Sequence, residues 1–267
     1  MFVRCLLYLN AQHTTAFRWR GGVLSEDGTF AVGDSDRIVE YLKANPKSIF
    51  TILANVADEG FQVETIPFLR GADRRAVIAR KLGQQFFNAI LTTSSSLGNE
   101  QSRRKNERVL LAALTGNETF SPWLQALAST EAALAGIYSL PLLQPLLIRK
   151  LDIADERCLL LTVQDQSIRQ SYLEKGQLQF SRLSALQDAS AGSMARAFAS
   201  EARKLQQYLI SQRLLGRQQP ITAYLLVHAS AREAVTSHCV DRDNLSFAIL
   251  DIDQCTQRCR FRTPPPD

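Results

Sequence analysis

Glycine is sparse where it would signal chemistry. The 13 glycines of this 267-residue chain never assemble into a phosphate-cradling P-loop, a GxGxxG dinucleotide fingerprint or a GxSxG nucleophile elbow. No motif of those three nucleotide or hydrolase classes is therefore present. Histidine is rarer still: His13, His228 and His238 stand far apart, at no metal-ligand spacing. No stretch approaches the about 18 uncharged apolar residues that cross a bilayer. Phe2-Val3-Arg4 runs straight into a strand pattern and not a signal peptide. Five cysteines, an odd number and widely spread, suit free thiols in a reducing, cytoplasmic compartment. As it stands the chain is expected to be soluble.

What is present is ordinary for a globular protein: 45% hydrophobic and 21% charged residues, in a chain long enough for two modest cores. A net charge of +5 favours anionic partners without choosing among them. The basic residues lack interleaved aromatics, so nucleic acid is not the expected partner. Cys255-x3-Cys259 with His238-Cys239 is too loose for a zinc site, and Asp241, Asp243, Asp251 and Asp253 read as turn and strand-end acids.

The strongest pattern is internal. Arg157 to Leu183 reads as three short strands: an apolar run from Cys158 to Val163, a polar turn at Gln164-Asp165-Gln166, an alternating run, and a Lys175-Gly176 turn into Leu178 and Phe180. The N-terminus repeats this plan 154 positions earlier, with Gly22 matching Gly176, Leu24 matching Leu178 and Asn10 matching Gln164. Two related halves follow from that repeat.

Between the hairpins, Asp34-Ser35-Asp36 can cap a helix through Leu42, and Ile49 to Val56 and Phe61 to Ile66 read as strands. Asp73 opens a basic helix to Phe87, whereas 92–108, rich in Ser and Thr, reads as a long loop or ragged hairpin. Val109 to Leu114 is a buried strand, and Ser121-Pro122 opens a helix with Pro in the first turn. Ala133 to Ile137 is a strand, Leu140 to Ile148 a helix, and 149–157 a charged boundary. The second half adds a long helix over 189–213, a strand at Ile221 to Val227, a short helix and a last strand at Phe247 to Ile252. The expected division is a first half over 1–150, with an inserted subdomain about 47–115, a second half over 151–257, and a linker-like tail over 258–267. Strands in threes, then alternating with helices, give an α/β architecture with mixed sheets.

This order of elements resembles the actin-like (RNase H-like) duplicated fold of two halves, each a mixed sheet with flanking helices. Within that fold it resembles pilus-assembly scaffolds of PilM and MshI type and is similar to the cytoplasmic domain of GspL. The residues carrying the resemblance are the duplicated hairpins, Glu64-Thr-Ile-Pro67 before a helix, Ala135-Gly136-Ile137 before the second half, and Ser181-Arg182-Leu183 after the Lys175-Gly176 turn. It implies a scaffold at the cytoplasmic face of the inner membrane, with pilus or secretion assembly proteins and an assembly ATPase as partners. Membrane association would come through a partner or through sequence beyond the tail.

ATP-binding members of the fold grip phosphates with the first hairpin of each half, using glycine and an acid that holds metal. Here the first turn, Asn10-Ala-Gln-His13, has neither, and in the second, Gln164-Asp165-Gln166-Ser167, the one acid sits a place late. The Gly-Gly implied after the late strand is His228-Ala229-Ser230. Asn10, His13, Gln164 and Asp165 are thus expected to line a cleft with no cofactor, no metal and no catalysis. The alternative is a nucleotide-binding ATPase or kinase of the same fold. Arg74, Arg75, Arg103, Arg104 and Lys105 form a cationic patch expected to meet an acidic partner or anionic lipid.

Overall fold

The computed structural model describes residues 3–100, 105–188 and 190–259. The first half opens with β1 (Val3–Leu9), β2 (His13–Arg20) and β3 (Val23–Ala31), an antiparallel meander. Helix α1 (Ser35–Ala44) returns the chain so that β4 (Ser48–Ala54) lies parallel to β1. The chain then leaves this sheet for β5 (Glu59–Ile66), α2 (Gly71–Gln85), β6 (Leu91–Asn99) and β7 (Glu107–Leu114). These strands form a separate antiparallel sheet in the order β5-β7-β6. Helix α3 (Asn117–Ser129) leads back to β8 (Ala133–Ser139), parallel to β4. The first sheet therefore runs β3-β2-β1-β4-β8.

Helix α4 (Leu140–Lys150) passes to the second half, which repeats the plan. Strands β9 (Arg157–Gln164), β10 (Ser167–Glu174) and β11 (Gln177–Ala185) form the meander, and α5 (Ala191–Ser211) precedes β12 (Ile221–Val227). A 3-10 turn, α6 (Arg232–His238), β13 (Leu245–Asp251) and α7 (Ile252–Arg258) complete the described chain. The second sheet runs β11-β10-β9-β12-β13, the same order and the same mixture of directions as the first. The repeat extends to single residues: Leu9 opposes Thr14 and, 154 positions on, Val163 opposes Ile168. The irregularities differ: the meander bulge falls after Ala16 in β2 and after Tyr172 in β10, and β4–β8 carries a register shift at Phe50–Thr51 that β12–β13 lacks.

Each sheet buries one face against its own helices. Cys5, Leu7 and Leu9 of β1 meet Ile38 and Leu42 of α1 and Phe120 and Trp123 of α3. Leu159 and Leu161 of β9 meet Phe198, Leu205 and Leu209 of α5. Burying a large aliphatic side chain stabilises by about 1.5–3 kcal/mol, so these two stripes dominate the fold. The other face of β9, Cys158 and Leu160, packs on Ile148 of α4, which explains why this central strand is apolar without alternation. The small third sheet has its own core of Ile66, Ile78, Val109 and Leu111.

Three sequence expectations are corrected. Of the long loop or ragged hairpin expected over 92–108, the loop is replaced by strand β6, paired antiparallel with β7 from Leu91–Leu114 to Ser96–Val109 and, past an irregularity, at Asn99–Glu107. It is an edge strand whose Ser and Thr side chains are half-buried or exposed, so it carries no apolar alternation to read. Helix α3 begins at Asn117, four residues before the expected start, and holds Pro122 in its interior. Its early turn is favoured because it sends Phe120 into the core, fully buried. The last strand ends at Asp251, one residue short of the expected end. A further helix, α7, takes that residue and the stretch given no element before the expected tail, reaching the tail's first residue, Arg258. Asp251 is the cause, since its carboxylate caps the helix by accepting from the Asp253 and Gln254 amides. Residues 260–267 of the expected tail, and Arg103 and Arg104 of the patch, lie outside the described residues.

Candidate functional site

The two halves face each other across a cleft of about 750 Å³. Its walls are the outward faces of the first sheet (Leu6, Phe17, Leu24) and the ends of β9 and β12, with Val163 and Leu226. Tyr8, Asp165 and His228 are among its polar groups. The β1–β2 and β9–β10 turns meet here: His13 Nε2 lies 3.9 Å from Asp165 Oδ1.

The two turns are closed by different means. In the first, Asn10 is buried and its Oδ1 accepts from the backbone amides of Gln12 at 2.8 Å and His13 at 2.9 Å. Its Nδ2 lies 3.2 Å from His13 Nε2. The amide donors that could face an anion are thus directed at the chain's own carboxamide. In the second, Asp165 and Gln166 both adopt left-handed backbone, with φ of 47° and 54°, a two-residue turn normally built with Asn or Gly. The Ser167 hydroxyl donates to Gln164 O at 2.7 Å, and Thr162 donates to the Gln164 side chain at 3.1 Å.

Beneath the turns runs a buried polar chain that joins the halves. Arg169 of β10, 1% exposed, donates from Nε and Nη2 to Asn55 Oδ1 at 3.1 and 2.8 Å, and from Nη2 to Val56 O at 2.9 Å. Its Nη1 pairs with Glu59 Oε2 at 3.0 Å, where both side chains are 1% exposed. Asn55 Nδ2 donates to the Tyr8 hydroxyl at 2.9 Å. Burial pushes the Glu59 carboxyl up to about 7, against the pull of the Arg169 charge. Burial draws Arg169 down from its ordinary value, opposed by Glu59. Burial, followed by the nearby Asp165 carboxylate, holds the Tyr8 phenol well above its usual range.

Sequence reasoning missed this chain, because neither β10 nor the 55–59 connection shows locally that its polar groups are covered. Two signals were present: an arginine in the middle of a strand whose only other charge is Glu174 at its end, and Asn55 directly after a buried apolar strand.

The other singled-out residues are dispersed. Arg74 makes a two-bond pair with Glu107, 2.8 Å from both Nε and Nη2, and Arg108 reaches Glu174 and Gln179 of the second half. Arg75 and Lys105 are exposed. His238 lies within hydrogen-bonding distance of groups of its own helix, Ala234 O and Ser237 Oγ. Cys239 is buried in the second-half core, while Cys255 and Cys259 border the cleft. Among the described residues no three His, Cys, Asp or Glu side chains gather as a metal site, and no helix is long and apolar enough to cross a membrane. A second cavity, about 410 Å³, opens between the edge strands β6 and β8, lined by Phe61, Leu91, Ala113, Ile137 and Leu142.

No family model and no curated protein matches the chain. Among solved structures, a chain of the "PilM-PilN type IV pilus biogenesis complex" is similar at 13% identity and TM-score 0.59, over 96% of both chains. A Bacteroides thetaiotaomicron protein with an actin-like ATPase fold and unknown function is similar at 13% identity and TM-score 0.52, over 96% of this chain and 95% of that one. The cytoplasmic domain of EpsL, an inner-membrane component of the Vibrio cholerae type II secretion system, aligns more loosely, at 11% identity and TM-score 0.46 over 96% and 94%. With its duplicated five-stranded mixed sheets and a cleft between them, the chain has the actin-like ATPase fold.

Proposed function

We propose that the chain is a non-catalytic actin-like scaffold of a type IV pilus or type II-like secretion assembly, working at the cytoplasmic face of the inner membrane. The observation that carries the non-catalytic part is Asn10, whose carboxamide takes both amide donors of the first turn. A phosphate there would have to displace two hydrogen bonds that cost nothing to keep, with no glycine to let it approach and no carboxylate in that turn to hold magnesium. The pilus or secretion part is supported by likeness to the PilM–PilN structure. A scaffold works through surface. A partner's short segment would lie extended between β6 and β8, where two strand edges flank an apolar cavity. Arg75 and Lys105, with Arg103 and Arg104, would raise its encounter rate if the segment is acidic.

An ATPase or kinase reading keeps one observation in its favour: the cleft is roomy, at about 750 Å³, and holds Asp165. Calorimetric titration with Mg-ATP decides between the two. The scaffold reading expects no heat of binding at micromolar protein, and saturable micromolar affinity would replace it with the nucleotide-dependent reading.

A further inference from the structure

The longest helix has a second face that the core does not use. Ala195, Phe198, Ala202, Leu205 and Leu209 of α5 point inward. On the opposite side Arg196, Ser200, Arg203, Lys204 and Gln207 are all exposed. Arg196 and Arg203 are seven residues apart, two helical turns, so they share one line along the surface. Arg213 and Arg217, past the helix end, are exposed as well. Two depressions, about 420 and about 620 Å³, share Gln207 as a common wall and bring these cations together with His238; no acid lines either one.

Unlike the cations around α2, these are not spoken for. Arg74, Lys81 and Arg108 each pair with a glutamate of this chain. Among the described residues no acid forms an ion pair with Arg196, Arg203, Arg213 or Arg217, and the exposed Asp188 carboxylate is near enough to Arg196 to feel its charge. Lys204 alone is engaged, by Glu201, which also holds Arg182. Two aliphatic side chains are exposed on the adjoining loops, Leu214 at 40% and Val240 at 47%.

The geometry points to this face of α5 as a docking surface for an anionic lipid bilayer. A line of cations spread over roughly 20 Å is too long for one phosphate and matches a carpet of headgroups. The cations lie among Ser and Gln, with Leu214 and Val240 beside them and no aromatic ring to stack on a base; aliphatic tips suit a headgroup layer, not a nucleic acid. The inference borrows from the scaffold reading only the presence of a membrane nearby. Vesicle binding is scored separately from the Mg-ATP titration, so either can fail alone.

The test is co-sedimentation of the purified chain with phosphatidylcholine vesicles, with and without phosphatidylglycerol. Two double variants are compared, R196S with R203S and R213S with R217S, and K47S, an exposed cation of the first half outside either cationic patch, serves as the control. Binding is expected only to the phosphatidylglycerol vesicles and should fall as salt rises. Each double variant should weaken it roughly twenty-fold, and the control should leave it unchanged. All substituted positions are exposed, and thermal melts matched to the parent chain check folding. Equal binding to neutral vesicles, or unchanged binding by both doubles, would overturn the proposal. Tighter binding to duplex DNA than to vesicles at equal phosphate concentration would overturn it too.

Discussion

The β1–β2 and β9–β10 hairpins have one register and two chemistries. Position for position, Leu9–Thr14 and Val163–Ile168 are the same pair, yet the first turn is closed by a carboxamide and the second by two left-handed residues. One step further along, Thr15 of β2 corresponds to Arg169 of β10. Both are buried, but the threonine stays at the cleft wall, whereas the arginine reaches across to the other half. The strand ladder is constrained by every backbone hydrogen bond it makes, so it persists. The side chains at the strand ends answer only to local closure and to what lies opposite, so they are free to differ.

The largest effect should come from the position where the halves diverge most. Arg169→Ala leaves the Glu59 carboxylate buried without its partner, and such a loss costs about 3–5 kcal/mol. Urea unfolding at neutral pH should show a lowered midpoint, and adding Glu59→Gln should restore much of it. Thr15→Ala, the matched change in the first half, should cost far less. Equal losses at the two sites would break the comparison.

A pH profile sharpens the same contrast. In the folded protein Glu59 holds its proton up to about 7, above the ordinary 4.5 of a free carboxyl. The folded state therefore binds more protons between those values, and the stability from this group, complete below about 4.5, is lost as pH rises through about 7. Melting temperatures of the parent chain should carry this downward slope, and Glu59→Gln should flatten it. An unaltered slope in the variant would assign the dependence elsewhere.

The smallest effects should have opposite signs in the two turns. Asn10→Ala strands two amide donors and should cost about 1–2 kcal/mol. Gln166→Gly relieves a left-handed residue and should stabilise by up to about 1 kcal/mol, while Gln12→Gly in the first turn, where φ is not positive, should not stabilise. Chemical denaturation of the three variants measures all of it; a destabilising Gln166→Gly would refute the strain account.

The repeat was legible because strand meanders announce themselves through turns: Gly22 and Gly176 sit at equivalent corners, and apolar runs flank them. The actin-like order of strands and helices was legible for the same reason. Strand β6 was legible only as one of two alternatives, since an edge strand of Ser and Thr obtains its order from β7, 15 or more residues away in sequence at most of its pairs. Helix α7 was not legible, because it depends on the Asp251 cap more than on any apolar stripe. Around the cleft, Asn10, His13, Gln164 and Asp165 could be picked out as turn residues of two related hairpins. That the Asn10 carboxamide consumes the amides beside it is a matter of rotamer, and Arg169 is explained by residues 110 and 114 positions earlier; sequence-local patterns carry neither.

That long separation also bears on how the molecule is made. A ribosome delivers Asn55 and Glu59 well before Arg169 exists, and domains otherwise tend to fold as they emerge. Until β10 arrives, the floor of the first half holds an acid that cannot be buried alone, so the connection between β4 and β5 stays wet while the sheet around it forms. The arrival of one guanidinium then dries that floor and ties the first half to β10, before α5, β12 and β13 of the second half have been made.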